Sequence, residues 1–385
     1  MTVRLYYEDA HRPEFTARVL SCREDGGRWL TVTDRTASFP EGGGQPGDQG
    51  VLGGTAVLDV HEKDGEIVHI CAGPLPEGET VSGAVDWPLR FERMQIHSGE
   101  HIVSGHAHAL WGCENVGFHM TERCAVIDFD KELNADELAR LERLANETVW
   151  ADLPVNVLYP TAEELERIPF RQKKELYGQI RLVEIPGVDV CACCAPHVKT
   201  TGQIGLIRIT DAMRHRGGVR LTLTAGAAAL ENAAALERDA GELSRLFSAP
   251  RTELPAAAQR LLSELEKQKA LRAELEKEYV SLLAGAAPAG DDICLFPAGE
   301  VSAAAMRLLA EKLTAGRAGL CGVFVSAGDG WRYVIASRSA DLRARAREIN
   351  GALRGRGGGA AGMIQGSLRA TRAEILEVFH GESIG

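Results

Sequence analysis

Arg93-Met94-Gln95-Ile96-His97-Ser98-Gly99-Glu100-His101 lies in a stretch, from Leu89 to about Leu110, whose pattern is helical. Residues four apart share one face of a helix, so His97 and His101 present both imidazoles to a single ion. A second segment, Cys193-Cys194-Ala195-Pro196-His197, offers a thiol and an imidazole at the same spacing. Pro196 argues against a continuous helix there, and a turn would let Cys193 and His197 converge instead. Three nitrogens and one sulfur make a borderline-soft donor set that suits zinc. Spacing alone leaves alternatives open. HxxxH and CxxxH each recur by chance, Cys191 competes as a ligand, and Cys194 also reads as a small buried residue. His97 to His101 also fits the H-x-x-E-H pattern of one metalloprotease class, with Glu100 as general base. That reading gives Cys193 and His197 no role.

Outward from the helix, residues 1–88 read as short β runs punctuated by Gly and Asp-Gly turns, such as Trp29-Leu30-Thr31-Val32-Thr33 and Thr55 to Val60. A small β-barrel satisfies that spacing. Residues 89–226 mix helices with strands near Val155–Tyr159, Arg181–Glu184 and Ile204–Thr210, and a helix start signal stands at Asn134. Residues 227–285 are rich in Ala, Leu and Glu, broken between Ser248 and Pro255. Leu261, Leu265, Leu275, Tyr279 and Leu282 form an interrupted stripe, too short for a long coiled coil and suited to a helical hairpin. Residues 286–385 follow a Gly/Ala/Pro linker and read as a terminal α/β domain. The fold class expected is α+β and multidomain: an N-terminal β-barrel, a zinc-binding domain, a helical hairpin linker and a C-terminal α/β domain.

Composition narrows the function classes. Of 385 residues, 45% are apolar and 25% charged, an ordinary globular balance. No apolar run reaches the roughly 18 residues of a membrane span, and the first residues do not form a signal peptide. A cytoplasmic location with no membrane partner is the expectation. Nine cysteines, an odd number and mostly scattered, are not a secreted disulfide framework. The net charge of −11 opposes indiscriminate coating of nucleic acid. Residues 301–385 nevertheless carry twelve basic against seven acidic side chains, which permits a local RNA contact.

Four segments in order resemble the editing half of alanyl-tRNA synthetase and its freestanding relatives, the AlaX proteins. Thr36-Ala37-Ser38-Phe39-Pro40-Glu41-Gly42-Gly43-Gly44-Gln45-Pro46-Gly47-Asp48 is similar to the family's glycine-rich loop. Arg93 to His101 resembles its R-x-x-x-H-T/S-x-x-H helix. Cys193 to Gly205 follows C-x-x-x-H-V-x-x-T-G-x-I-G, and Arg216 to Arg220 parallels a later G-x-R stretch. The glycine-rich run from Gly355 to Gly366 is similar to the end of a DHHA1 domain, as in the long AlaX form. Ala195-Pro196 and Phe39 depart from the usual Gly-Thr and Tyr without removing a ligand. No aminoacylation domain or ATP-site motif is present.

The resemblance implies an ATP-independent hydrolase that deacylates Ser-tRNA(Ala), and also Gly-tRNA(Ala), with one Zn2+ per chain on His97, His101, Cys193 and His197. A pocket sized for alanine rejects glycine and serine only modestly, so a second site that recognises the wrong residue is useful. Thr36 and Gln45 occupy the matching catalytic positions. Thr36, Gly42, Gly43, Gly44, Gln45 and Arg93 would contact substrate, the glycines by allowing close backbone approach. Arg343, Arg345, Arg347, Arg354 and Arg356, beside glycines that read as a flexible loop, are expected to meet the tRNA backbone. A literal GxGxxG at Gly357–Gly362 lacks the strand–turn–helix context of a dinucleotide site. A homodimer through the C-terminal domain is compatible with the pattern. A Ser-tRNA(Thr) deacylase and a non-catalytic tRNA-binding protein with a structural zinc are the competing readings.

Overall fold

The computed structural model describes residues 2–121, 123–172 and 179–380. The chain divides into two compact units, Met1–Glu242 and Leu243–Gly385.

In the first unit, β1 (Val3–Arg4) and the turn of helix α1 (Leu5–Glu8) precede β2 (Glu14–Asp25), β3 (Arg28–Thr33), β4 (Arg35–Thr36), β5 (Gly50–Leu52), β6 (Thr55–Lys63), β7 (Glu66–Cys71) and β8 (Thr80–Val85). Six of these strands close a barrel in the order β2-β3-β7-β6-β5-β8, and β1 pairs with β4 in parallel. Alternation along β2 sends Phe15, Ala17 and Val19 inward to meet Leu52, Val60 and Ile67.

Helix α2 (Trp87–Trp111) follows directly. Asp86 caps its start and Gly112, at φ +61°, ends it in the left-handed conformation that glycine adopts without strain. Next come β9 (Asn115–Met120), β10 (Ala125–Phe129), α3 (Ala135–Trp150), β11 (Asn156–Leu158), the short α4 (Ala162–Leu165), β12 (Leu182–Ile185), β13 (Asp189–Ala192), β14 (Ile207–His215) and β15 (Gly218–Ala225). The Asn134 start signal is a full capping box with Glu137. Strands β14-β15-β10-β9 form one antiparallel sheet and β11-β12-β13 another. Ile102 and Val103 of α2, Leu141 and Val149 of α3, and Ile127 and Leu223 of the four-stranded sheet share one core. Gly105 lets α2 approach β13: a Cβ there would stand 2.5 Å from the Val188 carbonyl oxygen.

Helices α5 (Gly226–Phe247) and α6 (Leu254–Gly285) occupy the Ala/Leu/Glu-rich stretch, with the break between them. The second unit continues with β16 (Ile293–Leu295), α7 (Ala303–Leu313), β17 (Cys321–Ala327), β18 (Gly330–Ala336), α8 (Leu342–Ala352), β19 (Arg356–Ala360), β20 (Met363–Leu368) and α9 (Arg372–His380). Its sheet runs β16-β17-β18-β20-β19. Val323 and Val325 face α7, while Phe324 packs with Ile349 of α8 and Phe379 of α9. Gly357–Gly362 is not a flexible loop: Gly357, Gly358 and Gly359 lie in β19, paired antiparallel with β20. The organisation is α+β and in more than one unit. Among the described residues, no helix is long and apolar enough to cross a membrane.

Candidate metal centre and its cavity

One stripe of α2 organises the site. Arg90, Arg93, His97 and His101 recur at three- and four-residue spacing, and each reaches a different point. Arg90 is fully buried and forks onto Asp48, its Nε 2.8 and 2.9 Å from the two carboxylate oxygens, and Nη2 donates to the Ala37 carbonyl. Arg93 Nη1 donates to the Gly47 carbonyl at 2.6 Å. His97 Nδ1 is 2.9 Å from Gln45 Oε1. The helix thus clamps the loop from Thr36 to Asp48 before its last stripe residues reach the metal cluster.

The ligand atoms of His97, His101, Cys193 and His197 all lie within 4.8 Å of one another. Cys193 Sγ is 3.6 Å from His97 Nε2 and 3.4 Å from His197 Nε2. No helix runs through residues 193–197, in keeping with Pro196. Each imidazole is held from behind at Nδ1: His97 by Gln45, His101 by Asp189 Oδ2 at 3.0 Å, and His197 by Ser98 Oγ at 3.0 Å. Such partners fix ring orientation and tautomer and direct Nε2 to an ion. Three imidazoles and a thiol with this outer shell fit a metal ion.

Cys191 falls in a different group, with His101 and Asp189. Asp189 already engages His101 Nδ1 and accepts from Arg171 through Nε at 2.7 Å and Nη2 at 2.9 Å. Burial pushes the Asp189 carboxyl upward, but the His101 and Arg171 hydrogen bonds outweigh it and hold the group below its ordinary range. Burial also pushes the thiols of Cys191 and Cys194 up, the latter to about 11, so both are neutral near pH 7.

A cavity of about 700 Å³ opens over the cluster, lined in part by His97, His101, Cys193, Phe118, Gly43 and Gly44. Gly42 and Gln45 exchange two backbone hydrogen bonds of 3.0 Å across Gly43 and Gly44. Both central residues have positive φ, +61° and +82°, as a two-residue hairpin turn demands. A Cβ on Gly44 would also meet the Phe118 ring and carbonyl at 2.7 Å. The glycines therefore make a tight turn and, at the same place, put backbone at the cavity wall.

Four of the six substrate candidates, Thr36, Gly42, Gln45 and Arg93, do not line the cavity. Thr36 is fully buried and does not line the cavity. Its hydroxyl accepts from the Ser38 N–H at 3.0 Å and faces His69 Nε2 at 2.8 Å. His69 Nδ1 lies 3.2 Å from the Thr31 carbonyl, so Nδ1 carries the proton and Nε2 accepts from Thr36. Arg93, also buried, braces the loop backbone without lining the cavity. Gln45 is brought to the cluster, behind His97. Glu100 is buried too: Oε1 accepts from Ser104 Oγ and Asn115 Nδ2, both at 2.6 Å, and Oε2 is 4.0 Å from His101 Nε2.

In the second unit, Arg343 pairs with Asp341, Arg345 with Glu348 and Arg354 with Glu374. Among the described residues, Arg347 and Arg356 have no such carboxylate.

Sequence reasoning missed Asp189, Ser98, Arg171 and Arg181. Ser98 sits inside the helix motif itself, one residue from a ligand. Nothing local marks the other three, which reach the site only through strand pairing.

Residues 180–222, which carry Cys193 and His197, match the family described as Threonyl and Alanyl tRNA synthetase second additional domain. The alanyl-tRNA editing protein AlaX-L of Pyrococcus horikoshii is 37% identical over 223 residues, 54% of this chain and 54% of its own length. The alanine–tRNA ligase of Pyrobaculum neutrophilum is 37% identical over 74% of this chain and 33% of the ligase. That of Methanoculleus marisnigri is 32% identical over 99% of this chain and 44% of the ligase. The C-Ala domain of Aquifex aeolicus alanyl-tRNA synthetase is 26% identical to 22% of this chain, with 83% of that domain covered and a TM-score of 0.19. The chain thus spans about half of the AlaX-L protein and less than half of the ligases. By sequence it is similar to an AlaX-type alanyl-tRNA editing protein and to alanine–tRNA ligases, and its residues 180–222 match the second additional domain.

Proposed function

We propose that this protein is a trans-editing aminoacyl-tRNA deacylase that hydrolyses the ester of Ser-tRNA(Ala), and of Gly-tRNA(Ala), with one zinc ion. The observation that carries the reading is the convergence of His97, His101, Cys193 and His197 beside a cavity that His97, His101 and Cys193 line together with Gly43 and Gly44. The name of the AlaX-L relative and the matched domain point the same way.

When bound, zinc supplies a Lewis acid that polarises an ester carbonyl or lowers the pKa of water. This chain's residues do the rest. Gln45, Asp189 and Ser98 hold the ligand imidazoles in register. The Gly43–Gly44 turn gives the aminoacyl end a wall without side chains. Glu100, locked by Ser104 and Asn115, keeps a carboxylate beside His101. Thr36 acts through the barrel, with its hydroxyl committed to His69, and so shapes the loop from behind. The H-x-x-E-H protease reading leaves Cys193 and His197 idle, whereas both stand in this cluster. Mischarged alanine tRNA is the partner, with Arg347 and Arg356 of the second unit as backbone contacts. A homodimer through that unit fits the exposed Leu261, Leu265, Leu275 and Leu282 of α6.

The test offers Ser-tRNA(Ala), Gly-tRNA(Ala), Ala-tRNA(Ala) and Ser-tRNA(Thr) without ATP, with and without chelator. Chelator-sensitive loss of serine and glycine from alanine tRNA, with Ala-tRNA(Ala) spared, is the expected result. Four protein ligands ordinarily close a structural zinc site, so tRNA binding without deacylation would establish the non-catalytic reading instead. Preferential attack on Ser-tRNA(Thr) would move the substrate to threonine tRNA.

A further inference from the structure

The cavity wall holds a buried cation that the proposed chemistry does not use. Arg181 is only 9% exposed and lines the cavity together with Tyr7 and Arg4. Its Nη1 donates to the carbonyls of Cys193 at 2.6 Å and Ala195 at 3.0 Å, and its guanidinium carbon lies 5.5 Å from the centre of the Tyr7 ring. Its Nε is buried with no hydrogen-bond partner. Among the described residues no carboxylate pairs with it. The other arginines around the site differ. Arg4 is paired with Glu62 at 2.6 Å, Arg171 with Asp189, and Arg90 with Asp48. Arg93 also lacks an ion pair, but it faces the charges of Asp48 and Asp59 away from the cavity.

A guanidinium withdrawn from water and left without a counter-charge is costly, and the cost is recovered when an anion arrives. The cavity, at about 700 Å³, is within the range that holds an aminoacylated nucleotide. We propose that Arg181 is the binding site for the phosphate on the 5′ side of the terminal adenosine of the aminoacylated strand, a role that rests on the deacylase reading. Of the groups on that terminal nucleotide, only this phosphate is anionic. Because Arg181 also grips the Cys193 and Ala195 carbonyls, the phosphate is anchored on the same segment that carries the Cys193 thiol. The nucleotide and the metal ligand are thereby held in one frame.

The test compares two non-hydrolysable probes, 3′-deoxy-3′-(serylamino)adenosine with and without a 5′-phosphate, by calorimetry on the full-length zinc-loaded protein. The wild type should bind the phosphorylated probe about ten- to a hundredfold more tightly, and Arg181→Gln should bring that ratio close to one. Equal affinities in the wild type, or a ratio preserved in Arg181→Gln, would overturn the assignment. Arg181→Gln could also loosen the Cys193 segment, so a crystal structure of the wild type with the phosphorylated probe provides a second, independent measurement. The phosphate must lie on Arg181; a phosphate seated elsewhere defeats the proposal. Neither probe is cleaved, so both results stand even if the wild type fails to deacylate Ser-tRNA(Ala), which would sink the enzymatic reading separately.

Discussion

Gln45 Oε1 lies 2.9 Å from His97 Nδ1, so the glycine-rich loop of the barrel and the metal-ligand helix meet in one hydrogen bond. Gln45 is fully buried, and the contact spans 52 positions in the sequence. The amide fixes the ring so that Nε2 faces Cys193. Loop and metal site are therefore one construction.

That contact gives the first prediction. Gln45→Ala removes the acceptor behind His97 and should weaken zinc binding by about 10- to 100-fold, the usual effect of losing such a partner. Gln45→Glu keeps an acceptor and should recover most of it. Competition with a colorimetric chelator measures both. Unchanged zinc affinity in Gln45→Ala would show that the hydrogen bond does not orient the ligand.

Asp189 is the counterpart behind His101, and it carries more charge. Asp189→Ala leaves Arg171 without its buried carboxylate and frees the His101 ring. Breaking a buried pair from one side costs about 3–5 kcal/mol, so chemical denaturation should show a loss of that order together with weaker zinc binding. Arg171 and Asp189 are 11% and 2% exposed at their side chains, which is why a large value is expected rather than that of a surface pair. A loss below about 1 kcal/mol would place the pair among weak surface contacts.

The two glycines of the turn make a third case. Gly44→Ala forces a side chain into φ +82° and into the Phe118 carbonyl at 2.7 Å. Gly43→Ala, at φ +61°, meets Cys194 Sγ at 3.3 Å and His97 Cε1 at an ordinary 4.0 Å. Each strained residue costs on the order of 1–3 kcal/mol, so Gly44→Ala should be the more damaging in both thermal stability and deacylation. The opposite order would mean that crowding against Phe118 is relieved elsewhere.

The legible part of the molecule was its local chemistry. His97 and His101 on one helix face, the Asn134 cap and the short barrel strands all follow from spacing within a dozen residues. Roles that depend on distant pairing did not. Cys191 and Cys193 are two apart and look alike in sequence, but Cys191 shares one face of β13 with Asp189, whereas Cys193 lies past the strand's end in the segment that leads to His197. Asp189 and Arg171 carry no motif, because their meaning comes from each other and from His101. Thr36 matched a family position, yet its hydroxyl is directed into the barrel because His69 faces it from β7. The glycine run of the second unit suggested a loop by composition, whereas the pairing of β19 with β20 made it a strand.

The second unit's arginines are open to a salt-dependence test. Among the described residues, Arg347 and Arg356 lack the carboxylate partners that hold Arg343, Arg345 and Arg354, so their charge is available to a phosphate backbone. Charge-reversal variants, Arg347→Glu and Arg356→Glu, should weaken binding to alanine tRNA and lower the slope of log affinity against log salt by about one per lost contact. Arg343→Glu, whose charge is already matched by Asp341, should do less. Equal effects at all three positions would point to a diffuse field instead of defined contacts.

The last prediction concerns pH and the barrel. Burial pushes the His69 imidazole down to about 4 from an ordinary 6.5, against the weaker pull of the Thr31 carbonyl and Asp48. The folded protein therefore refuses a proton that the unfolded chain accepts once the pH falls below about 6.5. In that window the unfolded state binds more protons, so stability must fall as the pH drops from about 6.5 to about 4, by up to roughly 3 kcal/mol from this residue. Above pH 7 both states are neutral and the contribution is flat. His69→Gln can still accept from Thr36 Oγ1 but does not titrate. Urea denaturation at pH 7 and at pH 4.5 should show a smaller loss in the variant than in the wild type. Since other buried histidines titrate alike in both proteins, the difference between the two losses isolates His69, and no difference would mean that it is protonated in place.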